Sequence, residues 1–149
     1  MHPIPLGTHR FAFFTATTAD HVWEFLTCAG ETPKYFHGLA VSSSWRVGDP
    51  VRICRPRSGP ECGDVLTGRV ICVRPRSRLS FYFHSGTNDP PTYLTWEMRS
   101  STGGTVVQLQ VDHVEHVEEL ADAEDTWLPV LAALQALLPL EGPARPSGR

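Results

Sequence analysis

The chain has 149 residues, of which 41% are hydrophobic and 19% are charged, and its formal net charge is -3. These values are ordinary for a globular protein, and they exclude a disordered chain and a general attraction to nucleic acid or anionic membranes. The sequence has neither a run of about 18 apolar residues nor a signal-peptide pattern, so it predicts a cytoplasmic protein without membrane insertion. In a reducing compartment we expect its four cysteines to be thiols, with a Cys54–Cys62 disulfide across a loop as the alternative.

The first third of the chain predicts one strand and two short helical segments. Residues 1–8 are interpreted as a loose leader, and His9–Thr15 is rich in aromatic residues and predicts a strand. A short amphipathic helix follows and ends at Gly30. The next stretch is long enough for a single helical turn, whose Tyr35 and Phe36 are expected to face inward.

From Ala40 onward the hydrophobic period changes from helical to two residues. Short segments rich in Gly, Pro, Asp and Ser separate the strands, and such short connections predict antiparallel neighbours. Six strands are predicted, at residues 40–45, 51–55, 65–75, 79–85, 92–100 and 105–114. With the first strand they make a sheet of about seven strands, and the alternation predicts one apolar face.

Asp125–Leu138 predicts a helix about which the sheet is organised. Its apolar stripe comprises Trp127, Val130, Leu131, Leu134, Leu137 and Leu138. The opposite side is mostly alanine and carries no charge, so we expect burial on most of the circumference.

The ends of this helix are marked by proline. Pro129 is tolerated best in a first turn, so the helix is expected to begin at Asp125 or Thr126. The alternative is a longer helix from Glu118 that is kinked at Pro129. Pro139 ends the pattern, and residues 140–149 are interpreted as a disordered tail.

The order and spacing of several short motifs resemble the START-like, or SRPBCC, superfamily. The motifs are Val22-Trp23, Leu26-Thr27, Tyr35-Phe36, W-x-V-G from Trp45, G-x-V from Gly68, P-x-x-x-L from Pro75, G-G-T from Gly103 and W-L-P-x-L-x-x-L from Trp127. Within that superfamily the chain resembles the branch of homologues of the activator of the heat-shock protein 90 ATPase. The resemblance runs from about His9 to Leu138.

The resemblance implies an α+β helix-grip fold, in which a curved antiparallel sheet wraps around a long C-terminal helix and an elongated cavity lies between them. It implies a single START-like domain over residues 1–149. It brings no catalytic residue set, and chaperone activation by the eukaryotic members needs a further N-terminal domain that 149 residues do not accommodate. Function must therefore be argued from the cavity.

Large apolar and aromatic side chains are the candidates for the cavity wall. The predicted ligand-binding residues are Phe36, Trp45, Phe81, Phe83, Tyr93, Trp96, Trp127 and Leu131. For any one of them plain core packing is the alternative, whereas the set as a whole favours an apolar pocket. Tyr93 and His84 are the candidates for its polar groups, with exposure to water as the alternative.

Metal and catalytic motifs are weak. His113 and His116 lie three apart, and on a strand they would point to opposite faces, so we expect no metal site and no cofactor. No Ser or Cys nucleophile has a recognisable base, and no catalytic residue is assigned. Gly103-Gly104 is interpreted as a hairpin turn, because the lysine of a phosphate-binding loop is missing.

The sequence therefore predicts a binding protein for a hydrophobic small molecule, aromatic or polyketide-like, acting as a carrier or in sequestration or self-resistance. The alternative is an aromatase or cyclase that folds a polyketide and uses Tyr, His or Arg groups in the cavity. A further alternative is a co-chaperone-like interaction module. Oligomeric state is left open, with a homodimer as one alternative.

Overall fold

The computed structural model of the protein describes residues 6–56, 63–84, 90–114 and 120–140, which form a sheet and two α-helices. The strands are β1 (Leu6–Thr15), β2 (Ala40–Ser43), β3 (Pro50–Arg55), β4 (Gly63–Arg74), β5 (Arg78–His84), β6 (Thr92–Ser101) and β7 (Gly104–Val114). The helices are α1 (Ala19–Thr27), a 3-10 turn (Thr32–Lys34) and α2 (Leu120–Leu140). The predicted α+β class and the order of the elements are confirmed.

The seven strands form one antiparallel sheet in the order β1-β7-β6-β5-β4-β3-β2. Strands that follow one another from β2 to β7 are therefore direct neighbours, and among the described strands β1 and β7 are the neighbours that lie far apart in the sequence. Register shifts between Ile53 and Cys54 and between Val70 and Cys72 mark irregularities in β3 and β4. Such bulges bend and twist strands, so they help the sheet to curve around α2 in the predicted helix-grip arrangement.

Alternation along the strands separates an inner, apolar face from an outer face. On β5 the inner residues Leu79, Phe81 and Phe83 are buried, and they alternate with outer residues such as Tyr82. Residues that pair in register on neighbouring strands point to the same face, so the inner and outer faces continue across the sheet. The core is therefore one cluster between the inner face, α1 and α2.

Helix α2 begins earlier than predicted. It starts at Leu120 and continues through Pro129, so the predicted start at Asp125 or Thr126 is wrong and the longer alternative is closer. Pro129 lacks an N–H group for the carbonyl of Asp125, but both residues are exposed, so water can bond that carbonyl. Tertiary packing further along the helix thus outweighs the local cost of the proline.

Burial of α2 is one-sided. Five residues of the predicted stripe are buried and Leu137 is half-buried, but Leu128 is 50% exposed, and Ala132 and Ala136 are also exposed. The expectation of burial on most of the circumference is therefore wrong. Alanine is tolerated on a solvated face because it is a strong helix former and adds little apolar surface.

Several smaller predictions are also corrected. Of the supposed leader, residues 6–8 belong to β1, and residues 1–5 lie outside the described part. Cys54 is disulfide-bonded, so the prediction of thiols is wrong for it, whereas Cys28 and Cys72 are free. Cys62, His116 and residues 141–149 of the predicted tail also lie outside the described part.

Candidate functional site

Three aromatic rings form a row on the inner face of the sheet. The ring centroids of Trp45 and Phe81 are 5.5 Å apart in an edge-to-face arrangement, and those of Phe81 and Phe83 are 6.5 Å apart. Phe81 and Phe83 are buried and Trp45 is half-buried. Edge-to-face pairs of this kind present both ring faces and ring edges, which suits contact with an apolar or aromatic ligand.

A hydrogen bond and an unusual backbone conformation both indicate that the position of Trp45 is fixed. Its indole Nε1 donates a hydrogen bond of 2.9 Å to the carbonyl of Thr27, the last residue of α1. Its backbone adopts φ 58°, a left-handed conformation that costs a residue with a Cβ about 1–2 kcal/mol. Such strain persists only where surrounding contacts fix it, so the position of this ring is over-determined.

A second aromatic contact lies where the loop after the 3-10 turn meets α2. The centroids of Phe36 and Trp127 are 5.7 Å apart, and both residues are buried. The next residue, His37, has φ 55°, and its Nε2 lies 2.9 Å from the carbonyl oxygen of Thr126. This hydrogen bond ties the loop to α2 beside the ring pair.

Tyr35, just after the 3-10 turn, is a buried residue with a polar group. Its hydroxyl donates a hydrogen bond of 2.7 Å to the carbonyl of Phe25 on α1. Burial raises the pKa of this phenol well above its usual range, and the nearby Cys28 and Glu31 raise it further. Tyr35 therefore stays neutral at physiological pH and anchors the loop that carries Phe36.

The remaining predicted site residues divide between the two faces. Trp96 is buried on β6 and pairs in register with Leu79, and Leu131 is buried on α2. Tyr93 lies three residues before Trp96 and on the other face, in register with Tyr82, and the ring centroids of these two tyrosines are 5.6 Å apart.

Tyr93 is therefore a correction to the predicted wall, because its ring does not face α2. His84 also lies on the outer face, because its ring stacks on that of Tyr82, with centroids 6.3 Å apart and ring planes at 16°. The structure thus brings seven of the eight predicted residues to the inner side. It removes both of the predicted polar groups from that side.

Two cavities lined by described residues lie away from these rings. One, of about 420 Å³, runs along α1 and is lined by His21, Glu24, Phe25, Thr27, Cys28 and Glu31. The other, of about 340 Å³, lies between the start of α1 and the β6–β7 hairpin. Neither includes a predicted ligand-binding residue.

The described part of the chain contains no group of three or more His, Cys, Asp or Glu side chains arranged to hold a metal ion. Among the same residues, no helix combines the length and the apolar character needed to cross a membrane.

The fold of the chain is similar to those of several proteins of known structure. Protein MLL2253 of Mesorhizobium loti is 18% identical, with a TM-score of 0.71 over 91% of this chain and 98% of its own. CalU16 of Micromonospora echinospora is 16% identical, with a TM-score of 0.66 over 87% of this chain and 81% of its own. DynU16, a protein of the dynemicin biosynthetic locus, is 22% identical, with a TM-score of 0.72 over 93% of this chain.

Those identities establish a shared fold and no more, and the chain spans about half of DynU16, 49% of its length. No curated protein sequence matched the chain. The sequence profile of the family described as Activator of Hsp90 ATPase homolog 1-like protein, in contrast, matches residues 16–139. Because this match covers most of its length and the fold agrees with it, the chain belongs to that family, within the START-like or SRPBCC superfamily.

Proposed function

We propose that the protein binds a hydrophobic small molecule, aromatic or polyketide-like, between the inner face of its sheet and α2, as a carrier or a sequestering protein. The observation that carries the proposal is the row of rings formed by Trp45, Phe81 and Phe83, which packs in the same core cluster as the buried residues of α2. Small-molecule sites are predominantly apolar and aromatic, with few polar groups. We further propose that residues 1–149 form a single domain that acts in the cytoplasm.

The position of the polar side chains favours binding over catalysis. Tyr93 and His84, the two polar groups predicted for the cavity, both lie on the outer face. Tyr35 lies on the inner side, but its hydroxyl already donates to the carbonyl of Phe25. A general acid or base must reach the group it protonates or deprotonates, and none of these three residues meets that requirement.

A natural-product setting is supported by one relative. DynU16, which shares the fold, is described as a protein of the dynemicin biosynthetic locus. An aromatic-lined helix-grip site suits a large, flat, apolar metabolite, and we propose that class of ligand for this chain.

The test compares two tryptophan substitutions on α2. Leu131 is buried on the side facing the sheet, whereas Leu128 is 50% exposed, so both changes add an indole to the same helix and only Leu131→Trp fills the proposed site. We expect wild type and Leu128→Trp to bind a solvatochromic apolar dye equally. We expect Leu131→Trp to weaken that binding on the order of tenfold, at a cost of about 1–3 kcal/mol in stability.

Two outcomes would count against the proposal. One is that folded wild type fails to bind the dye and is not stabilised by any member of a panel of polycyclic aromatic compounds in a thermal-shift screen. The other is that both tryptophan variants bind the dye as wild type does, because the dye would then occupy another surface.

A further inference from the structure

Four large hydrophobic side chains are exposed in the described part of the chain. They are Phe14, Val47, Ile71 and Leu128, with exposed fractions of 46%, 65%, 42% and 50%. A single exposed residue of this kind is common and needs no explanation. Val47 and Ile71 differ from the other two, because they come from segments that are hydrogen-bonded to each other.

Val47 lies in the turn between β2 and β3, and Ile71 lies in β4. The amide of Gly48 donates a hydrogen bond of 2.9 Å to the carbonyl of Val70, and the amide of Val70 donates one of 3.0 Å to the carbonyl of Asp49. Two residues thus oppose one, and Gly48 has φ 89°, as in a β-bulge that begins with a left-handed glycine. The residue before this bulge is Val47 and the residue after Val70 is Ile71, so the antiparallel direction of β3 and β4 brings both to neighbouring positions.

The turn that carries Val47 is fixed by its own hydrogen bonds. The amide of Asp49 donates a bond of 2.9 Å to the carbonyl of Arg46, and Nη1 of Arg69 donates a bond of 2.8 Å to the carbonyl of Gly48. A surface that is ordered before it binds a partner loses less conformational entropy on binding. The turn is therefore suited to presenting an exposed side chain to a partner.

Three exposed arginines surround the two aliphatic residues: Arg46, Arg69 and Arg74. Arg46 precedes Val47 in the turn, and the other two arginines flank Ile71 along β4. None of the three forms an ion pair with another residue that the structure describes. We call the set of five residues the arginine-aliphatic patch.

The local charge at this patch differs in sign from that of the whole chain. Residues 44–49 and 66–74 contain three arginines and one acidic residue, Asp49, which gives +3 − 1 = +2, whereas the chain has a net charge of -3. The Asp49 carboxylate already accepts a hydrogen bond from the hydroxyl of Ser44. At physiological ionic strength charges act over about 8 Å, so a short segment bound at the patch interacts mainly with its positive charge. A membrane surface or a long nucleic acid responds to the field of the whole protein, which is negative.

We propose that the arginine-aliphatic patch binds an acidic segment of a partner protein, whose apolar side chains contact Val47 and Ile71 and whose carboxylates contact the arginines. Protein interfaces have an apolar centre and a polar rim, and arginine is enriched in them. Its planar guanidinium can also bind a carboxylate through two parallel hydrogen bonds. None of the five residues belongs to the predicted ligand-binding set, so the inference does not depend on the proposed hydrophobic ligand.

The probe for the test is a fluorescein-labelled helical peptide of about 15 residues, with leucines on one face and glutamates on the others. Binding is measured by fluorescence anisotropy. We expect the wild type to bind this peptide with a Kd of roughly 10–100 μM. A control peptide with glutamine in place of every glutamate should bind at least about tenfold more weakly, because it lacks the charges that the arginines attract.

The aliphatic part of the patch is tested with the double variant Val47→Ser and Ile71→Ser. We expect it to bind the acidic peptide roughly tenfold more weakly than wild type, because the apolar contact is lost. Leu128→Ser is the matched control, since it removes a side chain of similar exposure from α2, and it should bind the peptide as wild type does.

The charged part is tested with the double variant Arg46→Gln and Arg74→Gln, which should bind the peptide about tenfold more weakly and with a smaller dependence on salt. Arg99→Gln is its control, because Arg99 is exposed on β6 outside the patch, and it should bind normally. Arg69 is left unchanged, because its hydrogen bond to Gly48 helps to fix the turn.

The proposal is overturned if the wild type does not bind the acidic peptide at about 1 mM, or if both double variants bind it as wild type does. It is also overturned if phosphatidylcholine vesicles with about 30% phosphatidylserine, or single-stranded DNA, bind the wild type more tightly than the peptide and lose that binding in the same variants. The patch would then serve another class of partner. Should one double variant fail to fold, the other decides with its own control.

Discussion

The inner and outer faces of strands β5 and β6 carry similar residue types in different environments. On the inner face Phe81, Phe83 and Trp96 are buried in the core, whereas on the outer face Tyr82, His84 and Tyr93 are half-buried and contact mainly one another. Each face therefore has three rings. The comparison teaches that aromatic content alone does not distinguish the two faces, whereas position within the strand alternation decides which rings are buried.

The largest expected effect contrasts Trp96 with Tyr93, three residues apart on opposite faces of β6. Trp96→Ala should lower the free energy of unfolding by about 3–5 kcal/mol, because it leaves a large void in the core. Tyr93→Ala should cost roughly 1 kcal/mol or less, because the outer face is open to water. Urea denaturation of both variants measures the contrast, and equal losses would show that the outer rings are structural too.

An intermediate loss of stability is expected on substitution of Tyr35, whose buried hydroxyl is hydrogen-bonded on the inner side of the sheet. Tyr35→Phe removes the bond to the carbonyl of Phe25 and leaves that oxygen buried, at a cost of about 1–3 kcal/mol. The pH dependence is a sharper signature. The raised pKa keeps the folded phenol protonated while the unfolded phenol ionises near pH 10, so stability falls as pH rises above about 10.

Tyr35→Phe should show a shallower loss of stability over that range, and the difference between the two proteins isolates this group. Urea midpoints measured from pH 8 to pH 11 provide the test. Parallel pH profiles would mean that the environment of this phenol does not favour its neutral form.

The smallest effect is expected on the outer face, at the ion pair between Arg78 and Glu97. These residues are in register on β5 and β6, and their charged atoms are 3.1 Å apart, but both side chains are more than one-third exposed. Exposed pairs of this kind contribute about 0–1 kcal/mol. A double-mutant cycle with Arg78→Ala and Glu97→Ala should give a coupling energy below about 1 kcal/mol, smaller still in high salt. A coupling as large as the Trp96→Ala effect would break the contrast between the faces.

Most of the fold could be predicted from local patterns. Alternating apolar residues bounded by Gly- or Pro-containing turns locate the seven described strands. The short connections between consecutive strands then predict that these strands pair with one another. The start of α2 could not be predicted this way. Pro129 is a strong local signal against a helix interior, and its cost is outweighed by packing of Trp127, Val130 and Leu134 that only the folded chain provides.

The candidate site was less predictable, for two reasons. The residue type of Tyr93 suits a cavity wall, although its alternation with Leu94 and Trp96 along β6 already places it on the other face. Other contacts near the candidate site leave no pattern in the neighbouring sequence from which they could be predicted. The bond from His37 to Thr126 joins residues 89 positions apart, and the left-handed backbone of Trp45 depends on packing against α1 and β5.

The position of β1 at the edge of the sheet has a consequence for the timing of synthesis. Its neighbour in the sheet is β7, and Thr15 pairs with Thr105, about 90 residues later in the chain. At roughly 5–20 residues per second, the ribosome makes β7 about 5–20 s after β1. During that interval Phe11 and Phe13, which later pair with Leu109 and Val107, have no partner strand. β1 is thus synthesised before the strand with which it pairs, and a nascent chain must keep it from aggregating until β7 has emerged.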